Sequence, residues 1–425
     1  MGLSFNDLLE LAKQYLNNSV TTGHKQFFNQ FYSSFNMPAF IGEVITAVTN
    51  TSAYTFEVAP VATIIEKEMI RKMSELAGYP EGDGSFVTGG SNANLIALFS
   101  ARNRALPDAR TQGLFGHKKL TAFISDQAHY SFENNANVVG IGSDSIYKVV
   151  SDKEGRMIPE DLEKKILQSR QKGENPFFVA ATAGTTMLGA FDPIEEIVEI
   201  GYRHNLWVHA DGAVGATALL SPKHKHLLKG IEKTDSFSWD PHKLMNIPLI
   251  CSVIIVRDKD RLFKNLTDKN DSYLYHDTEN GNCDLGKKSI QCGKRIDSLK
   301  LWMAWKYYGD EGYAQRTEKL FMLADYFKSK VIENEDMELL SVPRSFTVCY
   351  RYKNRDARNT NTFNNKIREK LRAAGKSLVN YGYIGKDFSF RWAISNPEIS
   401  KKDIDIFFEN SEEIVSTLKS KYIKS

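Results

Sequence analysis

The chain has 425 residues, 42% hydrophobic and 25% charged, with 55 Lys plus Arg against 52 Asp plus Glu for a formal charge of +3. This is the composition of an ordinary globular protein with room for one large domain and a smaller one. It lacks the basic excess or stripe of a nucleic-acid binder, and its best apolar run, 247–256, is too short to span a bilayer and contains a proline.

Cys251, Cys283, Cys292 and Cys349 show neither CxxC nor Cys/His metal spacing, so free thiols in a reducing compartment are expected and no metal site is. Residues 1–7 have no basic n-region and no long apolar core, which predicts no secretory signal and a cytoplasmic protein. The Lys/Arg-rich stretch 419–424 reads as a solvated helix end.

Residues 5–16 carry Leu8, Leu9, Leu11, Ala12 and Leu16 near helical spacing and predict a short helix. A loop-rich stretch dense in Phe and Tyr covers 17–38. Helices are predicted over 39–52 and 60–77, the second opening at Pro60, a favoured first-turn residue. From there the pattern alternates. Residues 85–88 lead through Gly89-Gly90-Ser91 into a helix over 92–104. Strands are predicted at 120–125, 177–182, 206–210, 235–238 and 251–256, with helices at 159–171 and 193–204 that open on proline and acidic residues. Strands apolar throughout and alternating with helices imply a mostly parallel sheet covered on both faces. Residues 258–295 are polar and predict a flexible loop. Helices follow at 296–308 and 310–333, and 337–420 alternates strands (345–352, 388–395) with helices (361–374, 400–419), a small α+β domain closing over the large one.

Several segments just after predicted strands carry chemistry. Thr88-Gly89-Gly90-Ser91-Asn92-Ala93-Asn94 is a strand-to-helix turn whose backbone N–H groups can approach a phosphate, although such a motif alone is more often a plain tight turn. His129 in Ser125-Asp126-Gln127-Ala128-His129 lies at the carboxyl edge of the sheet, where a flat imidazole can stack on a planar ligand or simply occupy a loop. Ala181-Thr182-Ala183-Gly184-Thr185-Thr186 has the small residues and hydroxyls suited to line a cofactor face. Asp211 ends an apolar strand and, buried, calls for a partner or a turn to cap. Ser238-Trp239-Asp240-Pro241-His242-Lys243 places an amine beside an imidazole, with apolar neighbours expected to enclose the lysine. An amine, a buried acid and a phosphate-binding turn in this order match what pyridoxal phosphate (PLP) requires.

These motifs resemble those of the group II PLP-dependent amino-acid decarboxylases, in the branch of glutamate, cysteine-sulfinate and aspartate decarboxylases. The resemblance runs from about residue 27 to 410 and includes Phe28-Asn29-Gln30, Tyr54-Thr55-Phe56-Glu57-Val58-Ala59-Pro60, Ile290-Gln291-Cys292-Gly293-Lys294-Arg295 and Phe390-Arg391-Trp392-Ala393-Ile394-Ser395-Asn396-Pro397. It implies an α/β chain of the aspartate-aminotransferase type (fold type I), with a mostly parallel seven-stranded sheet and a small C-terminal α+β domain. It also implies a segment 1–60 packing on a dimer partner, a PLP-binding domain 61–310 and a small domain 311–425. The protein would be a homodimer with its active sites at the interface, and residues 291–295 would contribute to the partner's site.

Carried over by position, the resemblance makes Lys243 the covalent anchor of PLP, with His129 and Ala213 on the two faces of its ring and Asp211 on its pyridine nitrogen. Gly90, Ser91, Asn92 and His242 would serve the phosphate, with Thr186 and Asp240 beside them. Arg391 would receive the substrate carboxylate and Gln30 would stand on the substrate side. The implied reaction is decarboxylation of a small acidic L-amino acid to the amine and CO₂, with Lys243, His129 and Asp211 catalytic. Phe31-Tyr32-Ser33-Ser34 leans toward cysteine sulfinate or aspartate over glutamate. Alternatives are an aromatic substrate, or decarboxylation with oxidative deamination to an aldehyde.

Three departures from the family pattern stand out. Asp240 replaces the asparagine of Asn-Pro-His-Lys. Asp-Gly-Ala (211–213) replaces Asp-Ala-Ala. Cys283 falls where glutamate decarboxylases can carry a loop tyrosine that donates a proton, leaving Tyr273, Tyr275 or His129 as substitutes.

Overall fold

Strands that are apolar at every position need cover on both faces, and the central sheet has it. The computed structural model describes residues 2–259, 261–266, 273–276, 281–341, 345–354 and 359–423. In chain order the strands are β1 (Phe27–Phe28), β2 (Asp83–Val87), β3 (Leu120–Ser125), β4 (Ile146–Val149), β5 (Asn175–Thr182), β6 (Trp207–Asp211), β7 (Ser236–Trp239), β8 (Ser252–Val256), β9 (Met337–Leu339), β10 (Thr347–Tyr352), β11 (Leu378–Ile384) and β12 (Asp387–Ala393). The larger sheet runs β2-β8-β7-β6-β5-β3-β4. The pairs from β7 to β4 are parallel, and β8 alone is reversed, antiparallel to both β7 and β2. Alternate residues enter two separate cores: Phe123, Val179, Ala181, Val208 and Phe237 point to one side, Ala122, Ile124, Phe178, Ala180 and Trp207 to the other. The unbroken apolar runs therefore reflect burial on both faces.

The first helices are α1 (Phe5–Asn18), α2 (Met37–Thr49), α3 (Pro60–Leu76) and α4 (Gly90–Ala105). The predicted helix at 159–171 is found as Pro159–Gln171, and that at 193–204 as Ile194–Arg203. The two helices expected at 296–308 and 310–333 form one stretch, Asp297–Glu333, broken at Gly309, whose φ of 67° and ψ of −178° a glycine adopts without strain. The smaller sheet, β1-β11-β12-β10-β9, is antiparallel except where Phe27 and Phe28 of the amino-terminal segment pair in parallel with Leu378 and Val379.

The expectation of a plain loop over 258–295 is corrected for its described part. Arg261–Leu266 is helical and turns of 3-10 helix cover Gly281–Cys283 and Leu285–Lys288. Leu262 is fully buried in the core that α4 covers, with Leu266 packed beside it, so apolar residues four apart fix a short helix within a polar segment. Residues 260, 267–272 and 277–280 of the expected loop lie outside the described residues.

The end of β5 is tied down by Asp192, which is 3% exposed and accepts from the N–H groups of Met157 (2.6 Å) and Thr182 (2.7 Å). Burial pushes its carboxyl up to about 7 despite those donors. The folded chain thus keeps a proton that the unfolded chain sheds from pH 3.8 upward, and Asp192 erodes stability as pH rises through this window. Asp192→Ala strands two buried N–H groups and is expected to cost about 2–4 kcal/mol near pH 5, read from the urea midpoint, while flattening that pH slope.

Candidate active site

Because β2, β3, β5, β6 and β7 share one direction, their carboxyl ends meet along one edge of the sheet, where open α/β sheets bind ligands. The reversal of β8 brings its first residue to the same edge, so the connection from Trp239 to Ser252 stays there and carries Lys243. A cavity of about 220 Å³ opens at this edge. Gly90, Ser91, His129, Thr186, Asp211, Ala213, Asp240, His242 and Lys243, all singled out in the sequence, line it. Asn94, Tyr130, Thr182, Gly184 and Val214 line it as well.

Asp211 is 5% exposed, and its hydrogen-bond partners are all neutral. Asn94 Nδ2 donates to Oδ2 at 2.8 Å, while the Ala213 N–H (3.1 Å) and Ser238 Oγ (3.2 Å) donate to Oδ1. Asn94 is itself oriented by His209, whose Nε2 lies 3.0 Å from its Oδ1 and whose Nδ1 lies 2.9 Å from Ser236 Oγ. Burial pushes His209 down to about 4, leaving it neutral at neutral pH. A buried carboxylate without a cationic hydrogen-bond partner leaves room in the cavity for a positively charged ring nitrogen.

α4 begins directly from β2. Gly89 supplies a φ of 111°, and the Asn92 and Ala93 N–H groups bond back to its carbonyl, so the N–H groups of Gly90 and Ser91 face the mouth of the helix. Asn92 does not line the cavity; Asn94, two residues on, does. The missed signal is a polar, poor helix former repeated in the first turns of a helix.

The apolar neighbours expected to enclose Lys243 do not do so. Its side chain is 24% exposed, with Nζ 2.9 Å from Asp240 Oδ2. His242 is 7% exposed. Its Nδ1 donates to the Cys251 carbonyl at 2.7 Å, which turns Nε2 toward Asp240 Oδ2 at 3.8 Å. His129 Nδ1 accepts from the Ser131 N–H at 3.3 Å, and its ring packs against Tyr130 with centroids 4.4 Å apart. Burial, opposed by the Asp211 charge, holds its pKa below the ordinary histidine value.

Arg391 on β12 sits just beyond the cavity and is 4% exposed. Its Nη1 donates to the Thr186 carbonyl (3.0 Å) and its Nη2 to the Asn29 carbonyl (2.8 Å), its plane lies over Phe31, and Nε has no partner. Gln30, next to Asn29, is held through its carbonyl by Ser395 Oγ at 3.3 Å and does not line the cavity. Cys283 lies elsewhere, 3.5 Å from Lys67 Nζ on the wall of a separate cavity of about 1040 Å³ between α3 and residues 281–288. Tyr275 packs on Tyr54, away from Lys243.

This arrangement fits PLP, since it offers a lysine amine, an acid awaiting a cation and helix N–H groups for a phosphate within one cavity. Residues 2–353 match the model of the pyridoxal-dependent decarboxylase conserved domain. Acidic amino acid decarboxylase GADL1 of Mus musculus is 39% identical, covering 97% of this chain and 78% of that protein. Cysteine sulfinic acid decarboxylase of Mus musculus is 38% identical, covering 97% and 86%. The crystal structure of mouse CSAD in apo form superposes with a TM-score of 0.94 at 36% identity, covering 97% of this chain and 89% of that one. Rice TDC, solved with PLP and tryptamine, shares the fold at a TM-score of 0.90 and 24% identity. With a domain match across most of its length and relatives aligned over 97% of it, the chain belongs to the pyridoxal-dependent decarboxylase family, as a fold type I, PLP-dependent amino-acid decarboxylase.

Proposed function

We propose that this protein decarboxylates a small acidic L-amino acid, with cysteine sulfinate and aspartate favoured over glutamate, to the corresponding amine and CO₂. The observation that carries this reading is Arg391. Its guanidinium is buried, bonded to two backbone carbonyls, and among the described residues no carboxylate pairs with it. A buried cation without a counter-ion is costly unless an anionic ligand completes it, and a planar fork suits a carboxylate. The names of the relatives, an acidic amino acid decarboxylase and a cysteine sulfinic acid decarboxylase, support the same substrate class.

PLP, when bound, supplies the electron sink that accepts the pair left behind by departing CO₂. The chain's own residues do the rest in this reading. Lys243 Nζ anchors the cofactor, and Asp211 keeps a proton on the ring nitrogen, strengthening the sink. His129, held through Nδ1, would cover one face of the ring, with Ala213 on the other. Gly90, Ser91 and His242 would receive the phosphate, with Thr186 on the cofactor side of the cavity. Arg391 orients the substrate so that only one bond is placed to break. Of the substitutes named for the loop tyrosine, His129 lines the cavity and could return a proton through Nε2, while Tyr273 and Tyr275, like Cys283, lie outside it.

The protein also forms a homodimer in this proposal, with residues 1–60 on the partner. α1 has no buried residue, and α2 exposes Phe40, Ile41, Val44, Ile45 and Val48. Such a face favours a second copy. Among the described residues no helix is long and apolar enough to cross a membrane. All four cysteines are free, which supports the cytoplasmic placement proposed with it.

The test is a panel of cysteine sulfinate, aspartate, glutamate and aromatic amino acids assayed for CO₂, amine and peroxide. Amine from the short acidic substrates is expected; peroxide and aldehyde, or turnover confined to aromatic substrates, would replace the proposal. Arg391→Lys is expected to lower kcat/KM for the acidic substrate by about 10²-fold, because an ammonium cannot reproduce the two-pronged contact. Unchanged kinetics would remove Arg391 from substrate binding.

A further inference from the structure

A carboxylate stands where this site has to receive an anion. Asp240 is 1% exposed and its Oδ1 has no hydrogen-bond partner. Its Oδ2 faces Lys243 Nζ at 2.9 Å and His242 Nε2 at 3.8 Å. A Cβ built on Gly90 would lie 2.6 Å from the same Oδ2, so the carboxylate presses against the first residue of α4, beside the N–H groups of Gly90 and Ser91. A helix mouth attracts anions, but two anions confined at one mouth repel each other strongly away from water.

The surrounding charges do not relieve this. Lys243 and His242 share the turn with Asp240, His129 faces it from the segment after β3, and Asp211 lines the same cavity from the end of β6. Behind His242, the buried Cys251 thiol is kept protonated, and Lys300 is already paired with Glu43 (Nζ to Oε1) and with Asp297 at 3.0 Å. The α4 mouth contributes Gly90, Ser91 and Asn94, none of them charged. Among the described residues lining the cavity, no cation is spare for both a carboxylate and a phosphate dianion.

We propose that Asp240 makes capture of the cofactor proton-linked: the phosphate of PLP enters with one proton held between a phosphate oxygen and the Asp240 carboxylate. This rests on the PLP site proposed above. A phosphate monoester loses its second proton near a pKa of about 6. Above pH 7 the free phosphate and the free carboxylate are both ionised, and each binding event draws a proton from solution. The dissociation constant then rises about tenfold per pH unit. An asparagine at this position would need no such proton.

The experiment uses the full chain freed of cofactor and 4′-deoxypyridoxine 5′-phosphate, which lacks the aldehyde and cannot bond to Lys243. Calorimetry between pH 7 and 8.5, in two buffers of different ionisation enthalpy, is expected to show uptake of about one proton and the tenfold-per-unit weakening. Asp240→Asn should take up none, bind with a flat pH profile and be at least about tenfold tighter at pH 8. The unphosphorylated compound should bind both proteins alike. Absence of proton uptake by the unsubstituted protein overturns the proposal without reference to any variant, and so does an unchanged slope in Asp240→Asn. If phosphorylated and unphosphorylated compounds bind equally weakly at every pH, the PLP-site reading itself fails, a result distinct from tight but pH-independent binding.

Discussion

Lys243→Ala is expected to abolish the visible absorbance of lysine-bound PLP and to lower turnover by at least about 10³-fold, the scale on which loss of a covalent or proton-transferring group acts. The substitution has a second consequence. Nζ is the cation 2.9 Å from a carboxylate that is 1% exposed, so the variant leaves Asp240 buried with only His242 Nε2, 3.8 Å from Oδ2, still facing it as a titratable neighbour. Breaking a buried pair from one side costs about 3–5 kcal/mol unless the survivor takes up a proton. Lys243→Ala should therefore melt lower at pH 8 than at pH 5.5, relative to the parent protein. Adding Asp240→Asn should restore the melting temperature without restoring activity. Near-parental turnover in Lys243→Ala would sink the assignment of the anchor.

Asp211→Asn is expected to weaken PLP binding and to reduce kcat by about 10²–10⁴-fold, with the fold intact. The amide keeps one acceptor for the Ala213 N–H and Ser238 hydroxyl, but it turns an NH₂ group toward Asn94 Nδ2, which donates at 2.8 Å. Asn94 cannot simply flip its amide, because its Oδ1 is engaged by His209 Nε2 at 3.0 Å. The variant thus loses the charge that matches a protonated ring nitrogen and gains a donor facing a donor. Asn94→Ala should show a weaker version of the same defect. Parental kcat and cofactor affinity in Asp211→Asn would remove the carboxylate from the ring nitrogen.

Most of the cavity is legible in the amino-acid sequence, because open parallel sheets collect their ligands at one edge and the informative residues follow strands: His129 after β3, Thr186 after β5, Asp211 at the end of β6, and Asp240 to Lys243 after β7. The features that leave no mark in the sequence do so for physical reasons. β11 carries Asn380 and Gly382 and alternates between cover and solvent, so its residues lack the continuous apolar run that marks the central strands. β4 is a four-residue edge strand with the charged Lys148 in it. The Ser131–Val138 helix holds three asparagines, poor helix formers that packing against α4 overrides. Asn94 is silent because its role depends on a chain of contacts from Ser236 through His209 to Asp211, residues far apart in sequence. The pairing of Asp240 with Lys243 is suggested by their spacing, but the empty valence of its Oδ1 is a property of the packed interior.

The single reversed strand also governs how the site can come apart. The segment carrying Lys243 leaves the sheet at Trp239 and returns at Ser252, and both ends are locked, Trp239 against Val253 and Ser252 against Val87. Between them the Lys243 N–H bonds to Asp240, the Ile247 N–H to Pro241 and the His242 N–H to Cys251. A segment clamped in this way by central strands belongs to the slowest-opening part of a protein. Displacing the backbone that carries the amine requires parting β7 from β8 in the middle of the sheet, so excursions that move it are as rare as unfolding of the whole molecule. The hydrogen-bonded amide protons of His242, Lys243 and Ile247 should then exchange with solvent at the rate set by global unfolding.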